Sequence, residues 1–403
     1  MSSFKKDIDD YTKNLNDASK DKNISTALTR AVSTYRETVA ATMKKYPHTP
    51  ELAKEVREIK TEALKNNDKL LKQAMETIES NKGKAYFAKD QEEAIKIAHG
   101  IIGTGKVIVK GKSMLGEELQ LRHNLEKLGN EVWETDLGEF ILQLTNDRPM
   151  HILSPAIHIP REQVAEIFSK FFKKKIEPDI AEEVAVVREF LREKYFKADV
   201  GISGANVVAA DTGQIVIIEN EGNVRLCTGA PPVHIAFVGI EKLVPTFLDA
   251  MKVAEVNWRY AQYPAPSYVN IISGPSKTGD IEKVTTYGAH GPREFHVVFV
   301  DNGRSDMLKD ETCNQALNCL RCGGCMYECP VFQVTAGHYG RTYLSGIGSV
   351  WTSFVDGGVD EAASMLYTCL RCGRCVERCP MKIDVPTMVG ELRSRVVSSD
   401  DDK

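Results

Sequence analysis

The sequence lacks the features that mark a nucleic-acid-binding, membrane-spanning or secreted protein. Among its 403 residues, 52 basic side chains nearly balance 56 acidic ones, which leaves a net charge of −4. Such a chain has no general attraction for a nucleic acid or an anionic membrane. It contains no mainly apolar run of roughly 18 residues, which excludes a membrane-spanning helix. Because its first residues, MSSFKKDIDDYTK, lack the apolar core of a secretory signal, we expect a cytoplasmic protein.

Cysteine is absent before Cys227, and then nine further cysteines fall between Cys313 and Cys379. A disulfide framework is typical of small secreted domains, whereas this is a long chain with no recognisable export signal. Thiols clustered in a reducing compartment indicate metal binding instead. We interpret Cys227 and Cys313, which fall outside the motifs described below, as buried and inert thiols.

The N-terminal segment, residues 1–84, is nearly free of glycine, and its apolar residues recur at helical spacing. Thr49 and Pro50 resemble the start of a helix, and the pattern that follows predicts one amphipathic helix reaching Ile78. An earlier helix is expected over Ile24–Lys44. This segment is interpreted as a packing or oligomerisation element without chemistry of its own.

Residues 85–305 alternate short β-branched runs with amphipathic stretches, which predicts an α/β domain with a largely parallel, buried sheet. The expected strands are Val107–Val109, Glu131–Trp133, His151–Leu153, Gln214–Ile218, His234–Val238, Tyr268–Ile272 and Phe295–Val300. The expected helices are Glu117–Leu128, Arg161–Lys173, Pro178–Tyr195 and Lys242–Tyr260. Residues 306–397 are predicted to form a helical, cysteine-rich domain, and the acidic residues 398–403 a disordered tail.

Two cysteine motifs of the form C-x2-C-x2-C-x3-C-P lie in the helical region, and they are typical of proteins with two [4Fe–4S] clusters. In such proteins the fourth cysteine of each motif serves the other cluster. We therefore assign the first cluster to Cys319, Cys322, Cys325 and Cys379, and the second to Cys369, Cys372, Cys375 and Cys329. Structural zinc, the alternative, normally uses two separated cysteine pairs and fits this spacing poorly.

Four residues near predicted strand ends are candidates for binding a substrate, since ligands of open α/β sheets collect there. Lys112 and Ser113 stand between a strand and a helix, where a lysine and backbone N–H groups can hold a carboxylate or phosphate. His158 and Glu221 are the other two. For each, the alternative is a capping, solvated or structural role. No G-x-G-x-x-G run is present, so a bound dinucleotide is not supported.

Five stretches together resemble the lactate-utilisation protein B family, the iron–sulfur subunit of a three-component L-lactate oxidation system. They are VKGKSMLGEELQLRHNLEKLGNEVWETDLGEFILQL, HILSPAIHIPRE, GISGANVVAADTGQIVIIENEGNVRL, HIAFVGIEKLVPT and HVVFVDNGRS, followed by the two cysteine motifs. The resemblance extends over about residues 49–393. It implies a Rossmann-like domain of the sugar-phosphate isomerase and CoA-transferase type, followed by an α-helical ferredoxin domain. It also implies a cysteine-rich iron–sulfur subunit and a second α/β-domain subunit as partners.

Three functional hypotheses follow. The first is an electron-transfer subunit, with two [4Fe–4S] clusters, of a complex that oxidises L-lactate to pyruvate. The second keeps the clusters but connects them to a different dehydrogenase, a flavoprotein or a heterodisulfide-reductase-like complex. The third is a stand-alone enzyme acting on a small carboxylate or sugar phosphate, in which the clusters are structural. Family members usually continue further beyond the second motif than this sequence does, which keeps the second hypothesis open.

Overall fold

A six-stranded parallel sheet forms the centre of the protein, which is described from a computed structural model over residues 2–401. The strand order is β1-β12-β7-β4-β2-β3. These strands are β1 (Lys84–Ala88), β2 (Val107–Lys110), β3 (Glu131–Glu134), β4 (Val200–Ser203), β7 (Val233–Gly239) and β12 (Glu294–Val300). The inner strands are almost wholly buried, as expected of a parallel sheet covered on both faces. The predicted α/β class is thereby confirmed.

Helices cover both faces of this sheet. They are α5 (Gln91–Ile102), α6 (Met114–Glu118), α7 (Leu121–Lys127), α8 (Leu137–Thr145), α9 (Arg161–Phe172), α10 (Ile180–Lys197) and α11 (Asn223–Gly229). Apolar side chains of α5, α6 and α7 pack on one face, around Ile108 and Phe237. Those of α8, α9 and α10 pack on the other, around Val109.

A second, four-stranded sheet lies between the parallel sheet and the C-terminal helices. Its order is β8-β5-β6-β9, with β5 (Val207–Ala209), β6 (Ile215–Glu219), β8 (Leu243–Val244) and β9 (Tyr268–Ile272). A short hairpin of β10 (Lys277–Thr278) and β11 (Thr286–Tyr287) follows. Helix α12 (Phe247–Tyr260) begins five residues later than the predicted start at Lys242, because β8 occupies part of that stretch.

The predicted strand at His151–Leu153 is a bend instead. The His151 imidazole accepts the N–H of Leu153 at 3.1 Å, which replaces a ladder hydrogen bond. The ring also stacks on Tyr327, with 4.3 Å between the ring centroids. This apolar run is therefore buried by the C-terminal helices rather than by strand pairing.

Four N-terminal helices connect the two main parts: α1 (Ser2–Ala18), α2 (Lys22–Lys45), α3 (Thr49–Lys65) and α4 (Asn67–Ser80). The single helix predicted from Thr49 to Ile78 is interrupted at Asn66, whose amide donates to the Glu62 carbonyl. Asn67 then donates to the carbonyl of Ile240, which directs α4 onto the sheets. Helix α2 packs against the cysteine-rich helices, where Arg36 pairs with Glu328 at 2.6 Å.

The C-terminal part is helical, as predicted: α13 (Arg304–Lys309), α14 (Gly324–Glu328), α15 (Phe332–Thr335), α16 (Ser345–Val355), α17 (Gly358–Thr368), α18 (Arg374–Arg378) and α19 (Val385–Asp401). Short 3-10 turns occur at Ile240–Lys242, Asn314–Asn318 and Ala336–His338. No helix within residues 2–401 has the length and apolar character needed to cross a membrane.

The last helix continues through residues 398–401, where a disordered tail was expected. Val389, Leu392 and Val396 are buried along one side of α19 and anchor it, so the helical backbone carries on past the last apolar residue. The rest of the expected tail, residues 402 and 403, lies outside the described residues.

One buried ion cluster joins the α/β part to the helical part. Arg304, only 1% exposed, donates to both oxygens of Glu118 at 2.8 Å and to Glu241 at 2.7 Å. Tyr343, which precedes α16, donates its hydroxyl hydrogen to Glu118. Both carboxylates are therefore paired with a cation and hydrogen-bonded away from water, which is the condition under which buried charges are tolerated.

Replacing Arg304 by Met should strongly destabilise the protein. Buried Glu118 would lose its cation and Glu241 one of its two, and breaking a buried pair typically costs about 3–5 kcal/mol. We expect the thermal midpoint of the anaerobic, metal-loaded protein to fall by roughly 5 °C or more. The control is Arg161→Met, which removes a solvent-exposed pair with Glu162 and should leave the midpoint unchanged. Equal midpoints for the two variants would contradict this account.

Candidate functional site

The four cysteines assigned to the first cluster line a single cavity. Cys319, Cys322 and Cys325 come from one motif, and Cys379 comes from the other. Positive backbone φ angles at Arg321 (62°) and Gly323 (76°) curl the first motif around the cavity, after which α14 begins. The second motif repeats this conformation at the corresponding positions.

The four cysteines assigned to the second cluster line a neighbouring cavity. Cys369, Cys372 and Cys375 belong to the second motif and Cys329 to the first. Cys325 borders both cavities, so the two lie side by side. Each set of thiols thus combines three cysteines of one motif with the fourth cysteine of the other.

The arrangement of donors fits a cubane cluster. Within residues 2–401, no three His, Cys, Asp or Glu side chains meet closely enough to hold a single metal ion. The thiols surround their cavities, as ligands to the corners of a larger group would. The backbone N–H of Arg321 points at the Cys319 sulfur at 3.4 Å, and further backbone N–H groups face Cys322, Cys329, Cys375 and Cys379. Such N–H···S bonds stabilise thiolate charge and tune cluster potentials.

The surroundings of the two cavities differ. Beside the first, the Arg321 guanidinium lies 3.8 Å from the ring centroid of Trp351 and 3.6 Å from Glu241. Beside the second, Cys372 is exposed, and the neighbouring Leu370 is 65% exposed. The first cavity is therefore bordered by a buried cation and an aromatic ring, whereas the second has a ligand thiol at the protein surface.

A third cavity, which we call the interdomain cavity, lies between the α/β part and the first cysteine motif. Its volume is about 280 Å³. Ile152, Arg321 and Tyr343 form a wall that it shares with the cavity of Cys319, Cys322, Cys325 and Cys379. A ligand in the interdomain cavity would thus be one layer of side chains from the first cluster.

Three of the four predicted substrate-binding residues line the interdomain cavity: Lys112, Ser113 and Glu221. Ser113 also caps helix α6, because its hydroxyl accepts the N–H of Gly116 at 3.2 Å. The Lys112 ammonium donates to the carbonyl of Leu153 at 3.0 Å, and so holds the bend that carries Ile152. Burial, reinforced by the nearby Asp136 carboxylate, raises the pKa of Glu221 to about 7.

His158, the fourth predicted residue, does not line this cavity. Its imidazole pairs with Asp147 at 3.0 Å, beyond the bend. The predicted strand at residues 151–153 would have placed His158 near the strand ends. Since that segment is a bend stacked on Tyr327, the chain carries His158 elsewhere.

Lys242 also lines the interdomain cavity, and the sequence pattern does not single it out as a binding residue. It follows β7, and the carboxyl ends of parallel strands are where ligands of such sheets gather. Its position just after a strand of the parallel sheet was the one sequence feature that could have identified Lys242 as a binding residue. The pattern of this stretch had instead indicated the first residue of a helix.

The chain matches two described families. The LUD domain matches residues 71–300, and the 4Fe-4S dicluster domain matches residues 315–383. Proteins named Lactate utilization protein B from Bacillus thuringiensis (strain Al Hakam) and Bacillus cereus (strain Q1) are 39% identical to it over 308 residues. These matches confirm the resemblance and the two [4Fe–4S] clusters. The alignments with the two Bacillus proteins cover 75% of this chain but only 63% of each relative.

Among solved structures, a DUF162 family protein from Deinococcus radiodurans is similar to part of the chain. Its sequence is 13% identical, and the TM-score is 0.33. The match covers 58% of this chain and 98% of that one.

The two arginines at corresponding positions of the motifs should affect cluster potentials unequally. Arg321 is 13% exposed, whereas Arg371 is solvent-exposed, where water screens its charge. We expect Arg321→Met to lower the midpoint potential of one cluster by roughly 60 mV, equivalent to about 1.4 kcal/mol for one electron. Arg371→Met should have little effect. Redox titration followed by electron paramagnetic resonance measures both, and equal shifts would refute the difference in screening.

Proposed function

Because the chain belongs to the LUD domain family, we propose that it is the iron–sulfur electron-transfer subunit of a system that oxidises L-lactate to pyruvate. The name Lactate utilization protein B, carried by relatives that are 39% identical, supports this assignment. So does the placement of an α/β cavity directly beside one cysteine cavity, with the second cysteine cavity near the surface. The proposed partners are a cysteine-rich iron–sulfur subunit and a second α/β-domain subunit.

The order of the cavities is the observation that carries the proposal. The interdomain cavity shares a wall with the first cysteine cavity, which in turn shares Cys325 with the second. Exposed Cys372 then brings the second cluster to the protein surface. Electrons would pass singly from the α/β side through the buried cluster to the exposed one, and from there to a partner.

In this proposal the ligands are exchanged between the motifs, so that Cys379 serves the first cluster and Cys329 the second. Because each cluster would then tie both motifs together, neither motif would hold a complete cluster by itself. Cluster loading and folding of the C-terminal helices would be coupled, as they are in other proteins whose metal sites form only on folding.

Paired alanine substitutions distinguish exchanged from unexchanged ligands. If ligands are exchanged, Cys319→Ala with Cys379→Ala removes two ligands of one cluster, and half of the iron remains. Cys319→Ala with Cys329→Ala instead damages both clusters, and most of the iron is lost. Unexchanged ligands predict the opposite result for each pair. Iron and sulfide analysis of anaerobically purified protein reads this out, with Cys313→Ala as the control that keeps all of the iron.

The lactate assignment is tested on the assembled complex. The tagged full chain is isolated anaerobically from its own host with its bound partners, and L-lactate is added. We expect the clusters to be reduced and pyruvate to form in proportion, with no reaction when both cysteine motifs carry the paired substitutions. A complex whose clusters are reduced by dithionite but not by L-lactate would overturn the assignment. It would favour a different dehydrogenase, a flavoprotein or a heterodisulfide-reductase-like partner.

A further inference from the structure

Most of the charged side chains that line the interdomain cavity already have hydrogen-bond or ion-pair partners within the protein. Glu219 accepts hydrogen bonds from the N–H groups of Val224 and Arg225 at 2.8 and 3.1 Å. Glu241 is paired with both Arg304 and Arg321. These groups have no capacity left for a charged ligand.

Lys242 is the exception among the lining cations. Within residues 2–401, its ammonium group has no hydrogen-bond acceptor and no carboxylate oxygen at ion-pair distance. Yet it is largely buried, at the wall of the cavity near Arg321. A buried cation without a partner is costly, and a negatively charged ligand would remove that cost. Lys112, by comparison, already donates to the carbonyl of Leu153 and lies 4.0 Å from Asp136.

Glu221 and Asp136 supply carboxyl groups to the lining of the same cavity. These carboxyl groups can accept a hydrogen bond from a hydroxyl group of a ligand but would repel a carboxylate of the ligand. The cavity therefore offers an anion-binding group in Lys242 and a hydroxyl-binding group in Glu221. Its volume of about 280 Å³ is close to the roughly 300 Å³ at the lower end of small-ligand pockets, so a three-carbon acid fits.

We infer that the interdomain cavity binds a small 2-hydroxycarboxylate, with Lys242 pairing with its carboxylate and Glu221 accepting a hydrogen bond from its hydroxyl group. The choice of L-lactate as the ligand rests on the function proposed above, whereas the site and the role of Lys242 rest on the cavity itself. Since Ile152, Arg321 and Tyr343 line both this cavity and the cavity of the first cluster, the bound anion would lie close to that cluster.

The first test measures binding of L-lactate and pyruvate to the oxidised, cluster-loaded full chain by anaerobic calorimetry. Lys242→Met should weaken both at least tenfold, and Lys242→Arg should restore most of the affinity. Lys252→Met is the matched control, because Lys252 lies on the outer side of α12 and pairs with Glu55. Unchanged binding in Lys242→Met, or no binding of any small hydroxyacid to the wild type, would overturn the site.

A second measurement needs no variant and so does not depend on its folding. A carboxylate bound beside the first cluster should disfavour adding an electron there, and linkage requires the reduced protein to bind the ligand more weakly by the same factor. Saturating pyruvate should lower the potential of one cluster by 59 mV for each tenfold weakening, and leave the other unchanged. Equal potentials with and without ligand would place the ligand elsewhere.

The two proposals can fail separately. If malate or another hydroxyacid binds through Lys242 while L-lactate does not, the site is supported and the lactate assignment fails. If L-lactate binds equally well to the wild type and Lys242→Met, while the complex still forms pyruvate, the function is supported and this site is refuted.

Discussion

The pairing of Arg304 with Glu118 and Glu241 is the interaction on which the arrangement of the two parts depends. The free-energy cost of removing charged groups from water is offset only when each one pairs with an opposite charge in good geometry. Glu118 ends α6, Glu241 follows β7 and Arg304 follows β12, so one guanidinium fixes three segments at the carboxyl side of the parallel sheet. Glu241 then reaches Arg321, in the first cysteine motif, at 3.6 Å. The α/β part and the first motif are thereby held in one relative position.

The shared apolar core follows from that constraint. Ala53 and Val56 of α3 pack with Val253 of α12, and the same core continues to Trp351 and Leu366 of the C-terminal helices. The N-terminal segment, expected to be an accessory packing element, therefore lies between the two parts and contacts both. The interdomain cavity borders both the charged network and this apolar core, so charged and apolar side chains line it together.

Sequence patterns predicted the features that arise from strict local spacing. The cysteine motifs determine which thiols can surround a cavity, and runs such as Phe295–Val300 identify buried strands without knowledge of their neighbours. Features that depend on distant partners were not predictable. The apolar run at His151 looks like a strand until Tyr327 is known to stack on it, and Asn66 interrupts a helix whose apolar pattern is continuous. Lys242 is a candidate only in the fold, where none of the described residues pairs with its ammonium group beside Arg321.

The distribution of buried charge also explains why the two cysteine motifs, alike in sequence, provide different environments. Lys60 and Arg321 lie near Cys319, while the carboxylate of Glu241 is already shared with Arg304. These cations exceed the available carboxylates, an arrangement that would be unfavourable in an apolar interior by itself. With the proposed ligands, four thiolates around an iron–sulfur core carry net negative charge and would supply the missing counter-charge. The buried cations and the first cluster would thus stabilise one another, whereas the second cluster, next to exposed Cys372, would rely on solvent for the same purpose.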